Sequence, residues 1–270
     1  MKTYVFCPRI SSSAEILRKA LKGLGIRSKR LRGLAPPRWT DATLINWGAT
    51  EIPYQNLALP ILNRPDKVGQ AVNKVTTLGL LEERGLPVIT VTDEPDEAQS
   101  WLQKGKALLA RKDKLSNGRG ITVVRPSPLA RVPDLPEADF YSKIYPKTHE
   151  FRIHVLGGLC IDFTQKKHQR DHERQNLIRT HDNGWVFAHN DISLTDQRDM
   201  DILVASAIES CRILELDFAA VDILTILTGD NPRRLKSHRI CEVNTAPGLE
   251  NLRTINAYAT GFQRLLQGAA

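Results

Sequence analysis

Residues Arg239–Leu252 read RICEVNTAPGLENL. Arg239 to Val243 is a short, largely apolar segment of strand character, yet Glu242 and Asn244 stand at its end with one residue between them. Side chains alternate along a strand, so Glu242 and Asn244 face the same way. A carboxylate and an amide on one face of a buried strand are costly unless something pairs with them. Upstream, DFAAVDIL supplies a second apolar strand, with Asp217 before it and Asp222 inside it between Val221 and Ile223. Asp222, Glu242 and Asn244 then offer three oxygen donors on two adjacent strands. That set suits a hard cation such as Mg²⁺ whose shell is completed by phosphates. The competing arrangement pairs Asp222 and Glu242 with buried arginines; the all-oxygen donor set favours the metal.

The 270-residue chain is long enough for one large domain or several small lobes. Its hydrophobic content of 41% and charged content of 25% are those of an ordinary globular protein. A net charge of +8 favours polyanionic company, whether nucleic acid, nucleotide phosphates or an acidic substrate. Cys7, Cys160, Cys211 and Cys241 lie far apart with no CxxC pair, which argues against a zinc site and a secreted disulfide framework. The segment MKTYVFCPRISSS has too short an apolar core for a signal peptide, and DFAAVDILTIL is too short to span a bilayer. No membrane association is expected, and a reducing cytoplasm is the expected compartment.

Strands and helices alternate along the chain. TYVFCP reads as a strand, and a helix follows from a cap near Ser11–Ser13 to the glycines after AEILRKALK. RSKRLRG and ATLINWG suggest further strands, and the proline-punctuated IPYQNLALPILNRP a connection. KVGQAVNKVTTLGLLEERG has helical periodicity, LPVITVT is a strand, and EPDEAQSWLQKG is a helix with acids in its first turn. ALLARKDKLSNGRGITVV reads as strand, turn, strand, after which DFYSKIYP, EFRIHVLGG and LCIDFTQKK are successive strands. DMDILVASAIESCRILE is a helix before the two acidic strands. Three α/β lobes in series are expected, over residues 1–65, 66–138 and 139–270.

In KLSNGRGITVV, Ser116, Asn117, Gly118 and Gly120 lie between apolar strands and could expose backbone N–H groups to a phosphate chain. Taken alone, the segment reads first as an ordinary Asn-Gly hairpin. Arg111 and Lys112 end the preceding strand, and by alternation only one of them points inward. The run Gln165–Arg179 concentrates Lys166, Lys167, Arg170, Arg174 and Arg179, most of which fit a solvated loop. His168 and His172 stand four apart, but without the HExxH glutamate they do not suggest a zinc peptidase.

EVNTAPGLE preceded by LDFAAVDIL resembles the C-terminal signature of ATP-grasp ligases. The resemblance extends over NKVTTLGLLEERGLPVI, LLARKDKLSNGRGI and EFRIHVLGG. It is closest to the ribosomal-protein glutamate ligases, with D-alanine–D-alanine ligase and glutathione synthetase more distant. FYSKIYPKTHEFRIHV and NLIRTHDNGWVF are similar to the phage-associated carboxylate–amine ligases.

The resemblance implies an α/β ATP-grasp fold, with ATP held between two antiparallel sheets and the N-terminal lobe on the substrate side. It implies a loop over the phosphates from Ser116 through Asn117, Gly118, Arg119 and Gly120 to Ile121, with Arg111 or Lys112 beneath and Lys74 as a further phosphate contact. It places Ser142, Lys143 and Ile144 at the adenine and Glu150 at the ribose or in a structural role. Arg152 and Arg179, with Lys166 or Lys167 beside them, would neutralise the transferred phosphoryl group, and Asp222, Glu242 and Asn244 would hold Mg²⁺ or Mn²⁺. Gly248 and Asn251 would lie near the substrate. The expected activity is ATP-dependent joining of a small-molecule or peptide carboxylate to an amine through an acyl phosphate. An arginine in place of the family's usual strand-end lysine leaves a catalytically weakened ATP-binding module as one alternative. The basic charge leaves a nucleic-acid-binding protein as another, although few aromatics are interleaved with the 165–179 run.

Overall fold

Helix α1 (Ser12–Gly23) begins where the Ser11 hydroxyl accepts from the Ala14 N–H, and it buries Ala14, Leu17 and Leu21. It links β1 (Lys2–Phe6) to β2 (Arg27–Leu31). With β3 (Thr43–Asn46) and β4 (Ile61–Leu62) these form a parallel sheet in the order β2-β1-β3-β4. The computed structural model describes residues 1–33, 36–54, 57–112, 120–126, 134–169, 171–172, 175–230 and 233–268. Ser116, Asn117, Gly118 and Arg119 of the expected phosphate loop, and Arg170 and Arg174 of the basic run, lie outside the described residues.

The helical periodicity after Lys67 resolves into two helices, α2 (Pro65–Val72) and α3 (Lys74–Glu83). They divide at Asn73, which leaves helical geometry and caps the Thr76 N–H with its own side chain. The central sheet is antiparallel, β5 (Val91–Thr92), β8 (Phe140–Lys143), β6 (Leu108–Arg111) and β7 (Ile121–Val124) in the order β5-β8-β6-β7. Helix α4 (Pro95–Gln103) covers it, packing Ala98, Trp101 and Leu102 on Leu108, Ala110, Val124 and Tyr141. Strand β8 pairs with β5 and β6, so the central sheet runs through Lys143.

The third sheet is antiparallel in the order β11-β10-β9-β12-β13, from β9 (His149–Leu156), β10 (Leu159–His168), β11 (Trp185–Ala188), β12 (Phe218–Thr228) and β13 (Arg234–Asn244). One face carries Phe151, Ile153, Val155, Ala219, Val221, Ile223, Ile240 and Val243. That face is covered by α5 (Gln197–Ile213) and by α3, which thus packs on the C-terminal sheet although it precedes the central one. The opposite face carries the polar alternates. A bulge in β13 sets its pattern: Asp222 pairs with Glu242 but Ile223 with Ile240, leaving Cys241 as the extra residue. The bulge turns Ile240 into the core while Glu242 and Asn244 remain on the polar face. Helix α6 (Leu252–Gly268), like β11 not anticipated from sequence, returns to α1 and seats Tyr258, Phe262 and Leu266 in the core of the parallel sheet.

Candidate active site

The polar face of the C-terminal sheet and the central sheet enclose a cavity of about 510 Å³. Strand register builds its floor. Glu242, Asp222, Arg152 and Thr164 form one row across β13, β12, β9 and β10. Two residues along β9 and β10 in one direction come Glu150 and Lys166; in the other come His154 and Asp162. The central sheet supplies Leu109, Arg111 and Ile121 to the opposite wall.

Cations dominate one end. Glu150 is buried and surrounded by Lys147, which pairs with Oε1, Lys166 at 3.1 Å and Arg179 at 3.9 Å. Burial alone would raise the Glu150 pKa, but Lys166, Lys147 and Arg179 outweigh it and hold the group below its ordinary value. Burial lowers the Lys147 pKa despite Glu150. Three cations around one carboxylate leave an excess positive charge beside the cavity. Arg111 adds to it: its Nε is buried with no hydrogen-bond partner among the described residues, and burial lowers its pKa. Lys112 also borders the cavity, but its Nζ is paired with the exposed Glu137 at 2.9 Å. The alternation of β6 thus turns Arg111 inward, with its guanidinium over the Phe140 ring.

The acidic strands meet these cations directly. Arg152 grips Asp222 through two hydrogen bonds, Nε to Oδ1 at 2.6 Å and Nη2 to Oδ2 at 2.8 Å, and lies over the Phe187 ring. Burial would raise the Asp222 pKa, but Arg152 overrides it and the pKa is lowered. Asn244 donates to Asp222 at 3.3 Å, and Glu242 faces Lys74 at 3.4 Å. The three expected metal-site residues are therefore together, and Asp222 has the buried arginine of the competing arrangement. Among the described residues no group of three His, Cys, Asp or Glu could hold a metal ion. Two carboxylates and an amide nevertheless fit Mg²⁺, which binds through one or two carboxylates with phosphates supplying the rest.

Other expected positions divide. Lys74, Lys143, Ile144, Ile121, Gly248 and Asn251 line the cavity. Ser142 does not line it; it is fully buried in the central sheet with its hydroxyl unpartnered. Gly120 is exposed and receives the Lys112 N–H at its carbonyl. Lys167 points to the other face of β10 and donates to Ser193, which leaves Lys166 as the inward lysine. Lys147, His154, Asp162 and His189 were not anticipated. Counting alternate residues along β9 from Arg152, and along β10 from Lys166, would have found His154 and Asp162.

The architecture can be set beside known proteins. By sequence the chain matches no protein-family model and no curated protein. By structure it aligns over 99% of its length with 96% of the D-alanine–D-alanine ligase from Bacillus anthracis, at 12% identity and a TM-score of 0.65. The fold is ATP-grasp. ATP-grasp ligase PsnB, complexed with minimal precursor, Mg and ADP, aligns over 98% of this chain and 96% of its own, at 11% identity and a TM-score of 0.64. A RiPP-associated ATP-grasp ligase from Chryseobacterium gregarium, in complex with ADP and a leader and core peptide, aligns over 100% and 97%, at 14% identity and a TM-score of 0.63. The ATP-grasp fold agrees with the expected class, two antiparallel sheets facing a cavity with a separate N-terminal lobe. No helix of the described residues is long and apolar enough to cross a membrane.

Proposed function

We propose that the chain is an ATP-dependent carboxylate–amine ligase, forming an amide or peptide bond through an acyl phosphate and releasing ADP and phosphate. The observation that carries this is the cavity's charge. Lys74, Arg111, Lys112, Lys143, Lys147, Arg152, Lys166 and Arg179 line one space with four carboxylates, Glu150, Asp222, Glu242 and Glu250. Arg111 in particular brings a buried guanidinium whose Nε has no partner among the described residues. A triphosphate matches such a surplus in both charge and acceptor count.

On this reading Arg111, Lys74 and Lys147 bind phosphates, and Lys143 and Ile144 border the adenine. Glu150 spaces the cations around it. Asp222, Glu242 and Asn244 would hold Mg²⁺, which when bound offsets charge on the phosphate oxygens. A substrate carboxylate attacks the γ-phosphorus, the bond to the β-phosphate oxygen breaks, and Arg152, Arg179 and Lys166 stabilise the charge on the moving phosphoryl group. An amine then displaces phosphate from the acyl carbon. The minimal precursor bound to PsnB and the leader and core peptide bound to the Chryseobacterium ligase support a peptide as carboxylate donor.

Two alternatives are disfavoured. Arg111 turned into the cavity supplies the cation whose replacement suggested a weakened ATP site. Lys166 and Arg179, the ends of the basic run, point at Glu150 rather than at an exposed surface that could bind nucleic acid. The test is ADP release from ATP and Mg²⁺ with amino acids and acidic peptides. Glu242→Gln removes Mg²⁺-dependent ADP formation while circular dichroism stays unchanged. ADP formation that survives in this variant overturns the metal assignment.

A further inference from the structure

The cavity has a second end, which the nucleotide does not need. Asp162, with a side chain only 1% exposed, lies there beneath the wall. It accepts from His189 Nε2 at 3.0 and 2.8 Å and from the Thr254 hydroxyl at 2.6 Å, with Arg253 Nε at 3.6 Å. His189 and Thr254 both line the cavity. With Nε2 held on the carboxylate, the tautomer is fixed and Nδ1 carries the lone pair. No described residue hydrogen-bonds that nitrogen. The other histidine here, His154, is a poor base: burial, then Arg152, depress its pKa to about 4, and its Nδ1 is on the Tyr258 hydroxyl at 3.1 Å.

We infer that this end receives the amine substrate and that His189, oriented by Asp162, is the general base that deprotonates it. The inference rests on the ligase reading. An amine arrives as an ammonium, which has no lone pair with which to attack. It gives one proton to His189 Nδ1. The freed pair forms the C–N bond to the acyl carbon, and the C–O bond to the phosphoryl group breaks with its electrons on the oxygen. The departing phosphate takes the second nitrogen proton and leaves as HPO₄²⁻, and the imidazolium returns its proton to water.

Asp162 also ties β10 to the start of α6, so the test must separate chemistry from support. Hydroxylamine is unprotonated at neutral pH and needs no base, whereas amino-acid amines do. The intact protein is given ATP, Mg²⁺ and a panel of aspartate, glutamate and peptides containing them, with either hydroxylamine or amino acids as nucleophile. In His189→Gln, hydroxamate formation stays within about twofold of the wild type while amide formation falls about 100-fold, the scale of general-base catalysis. In this variant only amine already deprotonated by solvent can attack, so amide formation climbs with pH and the deficit narrows in alkaline buffer, while the hydroxamate profile does not change. Asp162 on β10, His154 on β9 and Arg253 on α6 are the charged and titratable groups facing His189, and Asp162→Asn gives the same split more weakly. Equal losses with both nucleophiles reduce the pair to a structural clamp, and no loss with either removes His189 from the reaction; each overturns the inference alone. A wild type that forms no hydroxamate with any carboxylate overturns the ligase reading and this inference together.

Discussion

Arg152 neutralises Asp222 in the structure and, on the proposed reading, a phosphoryl group during turnover. The two side chains are 17% and 16% exposed, which places the pair among those costly to break. Arg152→Met strands the Asp222 carboxylate and costs about 3 kcal/mol in urea denaturation, most of which is recovered when Asp222→Asn is added. On the proposed reading the same pair would control the metal, because a divalent ion at Asp222 would compete with the guanidinium, which finds new acceptors only when phosphates are present. Mn²⁺ therefore gives an electron paramagnetic resonance signature of binding to the wild type with ADP but not alone, and to Arg152→Met without nucleotide. His154, one step further along β9, titrates against stability. The unfolded chain takes up this proton near pH 6.5 and the folded one only near 4, so stability falls as the pH drops through that window and is unaffected above it. The loss approaches about 3 kcal/mol by pH 4, and His154→Asn flattens that limb of the stability profile.

Among the elements, β13 shows what local sequence can and cannot specify. Glu242 and Asn244 were legible because alternation is a property of any strand, and their cost on an apolar segment marked the site. The Cys241 bulge was not legible, because an extra residue is defined only against β12, which it opposes. Nor was the place of β8: Phe140–Lys143 reads as a strand in isolation, but its partners, β5 and β6, are chosen by long-range pairing. Strand β11 is four residues long, too short for periodicity to register. Helix α6 did carry an amphipathic signal in Thr254, Tyr258, Phe262 and Leu266, and it could have been anticipated. Between elements, Asn63 joins the end of β4 to the start of β12. It sits at φ 60°, accepts from the Asp217 and Phe218 N–H groups at 2.8 and 3.1 Å, and donates to the Phe218 carbonyl at 2.8 Å. Asn63→Ala leaves these backbone groups without partners in a left-handed position that alanine disfavours, and lowers unfolding free energy by about 3 kcal/mol or more.

At the scale of the whole molecule, the parallel sheet and the C-terminal sheet share one core, in which Trp47 stacks on Phe218 with ring centroids 5.3 Å apart. The central lobe touches β13 where the Ile89 N–H donates to the Ile240 carbonyl and the Ile240 N–H to the Pro87 carbonyl, beside the bulge that presents Glu242. The N-terminal lobe meets the cavity through the chain between β13 and α6, where the Leu249 N–H donates to Ser13 at 3.0 Å. Gly48 lies against that connection. At φ 78° it adopts a left-handed conformation, and a Cβ added there would stand 2.6 Å from the Ala246 Cβ. Gly48→Ala must therefore move Ala246, and with it Pro247, Gly248 and Asn251, which line the cavity and, on the proposed reading, border its amine end. The cations around Glu150 belong to other strands, and Glu242 and Asn244, which precede the connection, are held in place by the pairing of β13 with β12. The expected outcome is a stability loss of about 2 kcal/mol together with Mg·ADP affinity, measured by calorimetry, within about threefold of the wild type, while ligation falls well below it. If Mg·ADP affinity falls as far as ligation does, the 246–251 connection shapes both ends of the cavity, and its division between nucleotide and amine must be redrawn.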